Sequence, residues 1–128
     1  MARIVIVGGG AAGLGAAGAA KQVDPGSEVV VFTEFEDVAY SPCGIPYVHG
    51  REIESFEPLF LQGREFYAKA GIDVRYETRV SSVDLANRRV AIEGGGSERF
   101  DRLVLGTGFN YADPGVPGGG LDGLYYVK

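Results

Sequence analysis

The start of the chain alternates between short apolar runs and one alanine-rich segment. Residues 4–7 are wholly apolar and β-branched, which predicts a strand of a parallel sheet that is buried on both faces. The small residues of Ala11–Val23 predict a helix lying close to that sheet, and Asp24, Pro25 and Gly26 end it. Residues 28–33 predict a second buried strand. The first 34 residues therefore predict one β-α-β unit.

The period of the pattern changes along the rest of the chain. Residues 35–63 show no clear period, and prolines at positions 42, 46 and 58 predict an irregular loop in which any helix is broken. Residues 64–70 predict a short helix, residues 72–74 a strand, and residues 79–104 an antiparallel meander that leads into a returning strand at 103–105. The predicted fold class is therefore α/β, with a parallel sheet and an antiparallel β-meander.

Composition limits the size of the fold and its partners. The 128 residues are 45% hydrophobic, which suffices for the core of one domain but not of two. A net charge of −5 without a Lys/Arg cluster disfavours nucleic acid and anionic membranes, so we expect a small-molecule partner. Residues 1–20 resemble a signal peptide only in part, because their apolar run is short, and no run reaches the length of a membrane span. The cytoplasm is the expected location.

Glycine is frequent, at 21 of 128 residues, and three windows match the spacing G-x-G-x-x-G. They are Gly8, Gly10 and Gly13; Gly13, Gly15 and Gly18; and Gly118, Gly120 and Gly123. Nucleotide binding requires the first glycine at the end of a strand and the third at the start of a helix, where amide N–H groups point at a pyrophosphate. Only the first window meets this requirement, and it predicts a dinucleotide-binding turn.

An acidic residue follows the second predicted strand. A carboxylate at Glu34 can accept hydrogen bonds from a ribose 2′-OH, and it repels a 2′-phosphate. The expected nucleotide is therefore FAD or NAD(H) and not NADP. Glu36 and Asp37 are nearby alternatives, and Glu34 could also be a solvated strand end.

The only cysteine, Cys43, cannot form an internal disulfide. It lies in the irregular loop between Pro42 and Gly44, whereas an inert buried cysteine is more usual on a strand or helix face. If a helix starts just beyond it, with Pro46 in the first turn, the helix dipole favours the thiolate, which is the form that attacks disulfides. Cys43 is therefore a candidate redox thiol. No metal site is predicted, because the only histidine, His49, lacks evident partners.

Three groups of residues, in this order, resemble the pyridine-nucleotide-disulfide oxidoreductase family. They are Gly8, Gly9, Gly10, Ala11, Ala12 and Gly13 with Glu34; then Cys43, Gly44, Ile45, Pro46 and Tyr47; then residues 100–108, which end in Gly106, Thr107 and Gly108. The resemblance is to the single-cysteine branch, which includes coenzyme A-disulfide reductases, NADH oxidases, NADH peroxidases and persulfide reductases. It implies a Rossmann-like FAD-binding domain.

This resemblance implies an enzyme in which a nicotinamide cofactor reduces FAD, and FAD passes electrons to a disulfide or sulfenate on the redox cysteine, here Cys43. It also implies which residues bind FAD, with the Val80 backbone at the adenine: Gly8, Gly10, Ala11, Ala12, Gly13, Glu34, Val80, Thr107 and Gly108. Oxidases and peroxidases of the branch typically have a histidine in place of Ala11, so the chain looks more like the coenzyme A-disulfide and persulfide reductases. Tyr40 and Pro42 depart from the coenzyme A reductases and leave contact with coenzyme A open.

The resemblance further implies a longer parent protein. Residues 1–110 correspond to the first part of an FAD-binding domain, and residues 111–128 to a linker toward an NAD-binding domain that these 128 residues do not contain. The parent is expected to be a homodimer that uses NADH and reduces a small-molecule disulfide, a persulfide or oxygen. Two alternatives stay open: a flavoprotein like the sulfide:quinone oxidoreductases, and a non-catalytic flavin-binding fragment in which Cys43 is incidental.

Overall fold

The structure is a computed structural model that describes residues 1–126; residues 127 and 128, the end of the predicted linker, lie outside the described residues. Its elements in chain order are β1 (Arg3–Val7), α1 (Ala11–Val23), β2 (Glu28–Phe32), α2 (Ile45–His49), α3 (Arg64–Lys69), β3 (Ile72–Arg75), β4 (Val80–Asp84), β5 (Arg89–Ile92), β6 (Ser97–Arg99) and β7 (Arg102–Leu105), with single 3₁₀ turns at Pro42–Gly44 and Glu57–Leu59.

The strands form two sheets. The first is parallel, with the order β3-β2-β1-β7, and the second is antiparallel, with the order β4-β5-β6. In the parallel sheet Val5 pairs with Val30 on one side and with Leu103 on the other. The chain therefore leaves β1 toward β2 and returns on the opposite side of β1 as β7. The predicted α/β class, with its parallel sheet and its meander, is confirmed.

Both faces of the parallel sheet are covered, which explains its continuous apolar runs. Ile6, Val29 and Val31 pack toward the helices, in one core with Ala17 of α1 and Tyr67 of α3. The alternate positions face the meander and form a second core; its buried members are Val5, Val30, Phe32, Val90 and Phe100. Because successive side chains of a strand point to opposite faces, strands buried on both faces must be apolar at every position.

Arg3 joins the two sheets at the amino end of β1. Its guanidinium forms ion pairs with Glu28 of β2 and with Glu98 of β6, the latter at 2.6 Å. Its amide N–H donates to a carboxylate oxygen of Asp101 at 2.8 Å. This hydrogen bond stabilises the ionised carboxyl and holds the pKa of Asp101 below its ordinary value. The edge of the sheet opposite the glycine turn is therefore held by charged contacts.

The expectation that prolines break any helix between residues 35 and 63 is wrong in part. Pro42 and Pro58 lie at the start of the two 3₁₀ turns, and Pro46 lies in the first turn of α2. An amide N–H at these positions has no partner within the helix, so proline is tolerated there and its fixed φ suits the helix. The helix start expected just beyond Cys43 is present as α2. In the part of the chain that the structure describes, the helices are all too short or too polar to cross a bilayer.

Candidate functional site

The first glycine window forms a tight turn between β1 and α1, against the end of β7. Gly8 has φ +117°, and a Cβ atom there would lie 2.0 Å from the Gly106 carbonyl oxygen. A Cβ atom on Gly13 would lie 1.9 Å from the carbonyl oxygen of Gly8. Because both distances are far below van der Waals contact, backbone packing between β1, α1 and β7 requires glycine at positions 8 and 13.

Gly10 is different, because nothing in the fold requires a glycine there. It is the N-cap of α1 with φ −85° and ψ −171°, which is extended backbone that any residue adopts. A Cβ atom added to Gly10 would have no atom within 4 Å, so it would point into open space. The missing side chain therefore leaves room at the helix start for something other than protein.

The same helix start offers unpaired amide groups. Gly10 provides no side-chain cap, and the first turn of α1 contains no acidic residue. Within residues 1–126 the amides of Ala11, Ala12 and Gly13 have no hydrogen-bond acceptor. Free N–H groups and the positive end of the helix dipole together bind anions such as phosphate. The turn lies where the strand order changes direction between β1 and β7, which is where nucleotides bind to open parallel sheets.

The other two windows lack this geometry. Gly15 and Gly18 lie inside α1, where a Cβ atom would meet nothing within 4 Å. Gly118 and Gly123 have φ +93° and +90° and lie in the 109–126 segment, which forms turns without a strand or helix in the described chain. Neither window connects a strand to the first turn of a helix.

Thr107 and Gly108 continue from β7 beside the glycine turn. The amide of Gly106 donates to the carbonyl oxygen of Val7 at 2.8 Å, which extends the pairing of β7 with β1 to the sheet edge. Thr107 and Gly108 are exposed, and Gly108 has φ +72°. The structure therefore brings the two glycine-containing segments, separated by about a hundred residues in the sequence, to one edge of the sheet.

Glu34 lies at the same edge, just after β2, and its side chain is half exposed. Its carboxylate faces the guanidinium of Arg79, with Nε and Oε2 separated by 3.4 Å. Val80 is the next residue after Arg79; it begins β4 and packs against the core under the meander. The structure thus brings Glu34 close to the segment that contains Val80.

Cys43 is exposed and lies in the 3₁₀ turn Pro42–Gly44. A two-stranded ribbon holds this turn: the Ser41 amide donates to the Leu59 carbonyl oxygen at 2.7 Å, and Tyr40 pairs with Phe60. A Cβ atom on Gly44 would lie 2.2 Å from Cδ2 of Leu59, so the turn packs closely on that side chain. The Cys43 turn is therefore held by backbone pairing and by close packing on Leu59.

One hydrogen bond links the ribbon to the glycine turn, from the Ala39 amide to the Gly9 carbonyl oxygen at 3.3 Å. Cys43 follows Ala39 by four residues, so its Cα lies within about 14 Å of that link. Among the described residues Cys43 itself makes no hydrogen bond with the glycine turn. The redox candidate is thus connected to the nucleotide candidate through a short stretch of backbone.

Three residues that the sequence did not single out for this edge also shape it. Besides Arg79, the Arg64 guanidinium lies 4.0 Å from the centre of the Tyr76 ring and donates to the Glu36 carbonyl oxygen at 2.6 Å. Burial raises the pKa of Tyr76, and the nearby Arg64 charge opposes that rise. No local pattern in the sequence predicts these contacts. Elsewhere in the described range, no group of His, Cys, Asp and Glu residues is suited to hold a metal ion.

Comparison with known proteins gives consistent matches over nearly the whole chain. The family model described as pyridine nucleotide-disulphide oxidoreductase matches residues 2–127. An NADH oxidase of Methanocaldococcus jannaschii is 37% identical over 131 residues, which cover 98% of this chain and 29% of that protein. An NAD(P)H coenzyme A polysulfide/persulfide reductase of Pyrococcus horikoshii is 36% identical over 124 residues, which cover 96% and 28%.

The solved structure of an NAD-dependent persulfide reductase from A. fulgidus has the same fold. Its TM-score is 0.84 at 30% identity, over 91% of this chain and 23% of that one. The chain thus spans less than a third of the length of these relatives. The family resemblance drawn from the sequence is confirmed: this chain belongs to the pyridine nucleotide-disulphide oxidoreductase family.

Proposed function

We propose that this chain is the FAD-binding portion of an NADH-dependent flavoprotein oxidoreductase that reduces a disulfide or persulfide through Cys43. The observation that carries the proposal is the start of α1, where Gly10 leaves open space beside unpaired amides. In this proposal residues 1–110 bind FAD, and residues 111–128 lead toward an NAD-binding domain of a homodimeric parent. Less than a third of each relative aligns with this chain, so the activity of a whole protein is part of the proposal.

The residues at the sheet edge fit FAD. The amides of Ala11, Ala12 and Gly13 would hold the pyrophosphate, with Gly8 and Gly10 shaping the turn. The Glu34 carboxylate would accept hydrogen bonds from the adenosine ribose, and the backbone at Val80 would meet the adenine. Thr107 and Gly108, beside the turn, would contact the same dinucleotide. When bound, FAD supplies two-electron transfer between NADH and sulfur.

Cys43 would act as the nucleophile. Its thiolate attacks one sulfur of the substrate disulfide; a new S–S bond forms, the original S–S bond breaks, and the leaving thiolate takes up a proton. The exposed position of Cys43 gives a substrate access, and the 3₁₀ turn packed on Leu59 gives the sulfur a defined place. The mixed disulfide then needs an electron pair before Cys43 is free again.

The names of the relatives support several electron acceptors. They include an NADH oxidase, a coenzyme A polysulfide/persulfide reductase and a coenzyme A disulfide reductase, so oxygen, a persulfide and a disulfide are all candidates. We favour sulfur substrates, because position 11 is an alanine and Cys43 is followed by Gly44, Ile45, Pro46 and Tyr47, the features in which the chain looks like the sulfur reductases.

Titration of the chain with FAD, ADP and NADPH tests the nucleotide assignment. FAD and ADP should bind, and NADPH should bind more weakly, because Glu34 repels its 2′-phosphate. Gly10→Val should abolish this binding, because its side chain would occupy the open space at the helix start; Gly120→Val is the control, because position 120 lies outside the site and a Cβ atom there would also meet nothing within 4 Å. Tighter binding of NADPH than of FAD would refute the role given to Glu34.

The role of Cys43 is tested in a protein that joins this chain to a nicotinamide-binding domain. Cys43→Ser should abolish the production of thiol from a disulfide or persulfide, while bleaching of the flavin by NADH stays close to the native rate. Stopped-flow absorbance follows the bleaching of the flavin by NADH, and a thiol assay follows the production of thiol. Thiol production at the native rate in the Ser variant would leave a non-catalytic flavin module as the better description.

A further inference from the structure

Arg79 lies between two carboxylates at the nucleotide edge of the sheet. Its Nε is 3.4 Å from Oε2 of Glu34, and its Nη1 is 3.5 Å from Oε2 of Glu93. The amide of Glu93 also donates to the Arg79 carbonyl oxygen at 2.9 Å. The guanidinium of Arg79 therefore pairs with Glu93, which follows β5, as well as with Glu34.

The backbone around Glu34 is held in register with the segment that contains Arg79. The Thr78 amide donates to the Thr33 carbonyl oxygen at 2.7 Å, and the Glu77 amide donates to the Phe35 carbonyl oxygen at 3.1 Å. These two bonds lie on either side of Glu34 in the sequence. The backbones of residues 34 and 79 are therefore held near each other by hydrogen bonds between the segments that follow β2 and β3.

Stability alone gives little reason for this arrangement. The side chains of Glu34, Arg79 and Glu93 are 49%, 63% and 60% exposed, and ion pairs between exposed side chains contribute little to folding. The pair can instead limit the orientations that the Glu34 carboxylate adopts. A glutamate side chain rotates about three bonds, whereas the planar guanidinium presents its donors in a rigid fork. Within residues 1–126, Arg79 is the only ion-pair partner of Glu34, and it engages Oε2, which leaves Oε1 able to accept another hydrogen bond.

We propose that Arg79 is a positioning residue that orients the Glu34 carboxylate toward the ribose hydroxyls of the bound nucleotide. Glu93 holds the guanidinium in place from the meander. This inference rests on the proposed FAD site. It assigns the preference for a ribose over a 2′-deoxyribose to Glu34, as positioned by Arg79 and Glu93. Arg79 acts through Glu34 and makes no contact with the ribose itself.

Calorimetric titration with ADP and 2′-deoxy-ADP tests the proposal, because the two ligands differ only in the hydroxyl that Glu34 is proposed to bind. The unaltered chain should prefer ADP by about tenfold, since a hydrogen bond to a charged group is worth at least that factor. Arg79→Ala should lower the affinity for ADP severalfold, leave that for 2′-deoxy-ADP nearly unaffected and so lower the ratio by the same factor. Arg79→Lys should recover part of the ratio, because the ammonium can still pair with Glu34.

Two further variants complete the set. Arg89→Ala is the matched control: Arg89 is an exposed arginine of the meander whose side chain donates to the Ser97 hydroxyl at 3.0 Å, away from Glu34. It should keep the native ratio. Glu34→Ala should bring the ratio to one. Thermal unfolding of each variant should stay close to that of the unaltered chain, because the pairs are exposed.

The outcomes separate the two levels of the proposal. A native ratio in Arg79→Ala, or tighter binding of ADP by that variant, would overturn the positioning role and leave the nucleotide site intact. A native ratio in Glu34→Ala would overturn the ribose role of Glu34 and the role of Arg79 with it. Absence of any binding of ADP and FAD to the unaltered chain would overturn the proposed function itself.

Discussion

Alanine substitutions at Gly10 and Gly13 should separate nucleotide binding from folding. A Cβ atom on Gly13 would lie 1.9 Å from the Gly8 carbonyl oxygen and 3.3 Å from Cγ2 of Ile6, so the backbone of the turn or of α1 must move. A Cβ atom on Gly10 would meet nothing within 4 Å, and its extended backbone suits alanine. The two glycines are three residues apart, yet the structure predicts opposite effects.

The magnitudes follow from these contacts. Overpacking of this kind costs about 1–3 kcal/mol, so Gly13→Ala should lower the melting temperature by about 4–12 °C. At Gly10 the weaker N-cap preference of alanine and the reduced entropy of the unfolded chain roughly cancel, which leaves a change within about 0.5 kcal/mol. Affinity for ADP should nevertheless fall by about tenfold or more in Gly10→Ala, because the methyl group takes the space proposed for the pyrophosphate.

Thermal unfolding and titration with ADP measure the two effects separately. Gly15→Ala is the matched control, because it adds the same methyl group to an exposed position of α1 with nothing within 4 Å. Helix propensity should make it more stable by about 0.8–1 kcal/mol, with unchanged binding of ADP. Native affinity for ADP in Gly10→Ala would refute the assignment of the open space to the nucleotide. Equal losses of stability in Gly10→Ala and Gly13→Ala would refute the claim that packing requires glycine at position 13 but not at position 10.

Three further results are expected. Leu59→Ala should lower the free energy of unfolding by about 2–4 kcal/mol in urea titrations, because Leu59 is only 6% exposed and packs on Gly44; an unchanged midpoint would contradict this. Cys43 should react completely with a small disulfide reagent in the folded chain, since it is exposed, and a need for denaturant would contradict its placement. The hydrogen bond that lowers the pKa of Asp101 stabilises the fold above pH 3.8, and this stabilisation is lost as the pH falls below that value; Asp101→Asn should therefore flatten the loss of stability in acid, and parallel acid curves would exclude the hydrogen bond from Arg3 as the cause.

Local patterns were sufficient for most elements of the fold. The apolar runs of β1 and β2 are readable because Val5 and Ile6, on opposite faces, are both fully buried. The predicted bounds of α1 match the structure, since Asp24, Pro25 and Gly26 follow the helix and end it. Boundaries elsewhere differ by one or two residues, as at Thr33, which follows β2 and does not belong to it. The prediction that prolines break any helix in residues 35–63 was wrong in part, because the position of a proline within a turn decides whether it breaks a helix.

The sequence by itself determined the order of the elements, the glycine turn that joins a strand to a helix, and the family. It could not tell that Gly8 and Gly13 serve packing against Gly106 and each other whereas Gly10 leaves room for a ligand. It also could not pair Glu34 with Arg79, which lie 3.4 Å apart in space but far apart in the chain. Periodicity and propensity act between near neighbours, whereas these contacts depend on which strands pair and in which register, and only the packed sheets decide that.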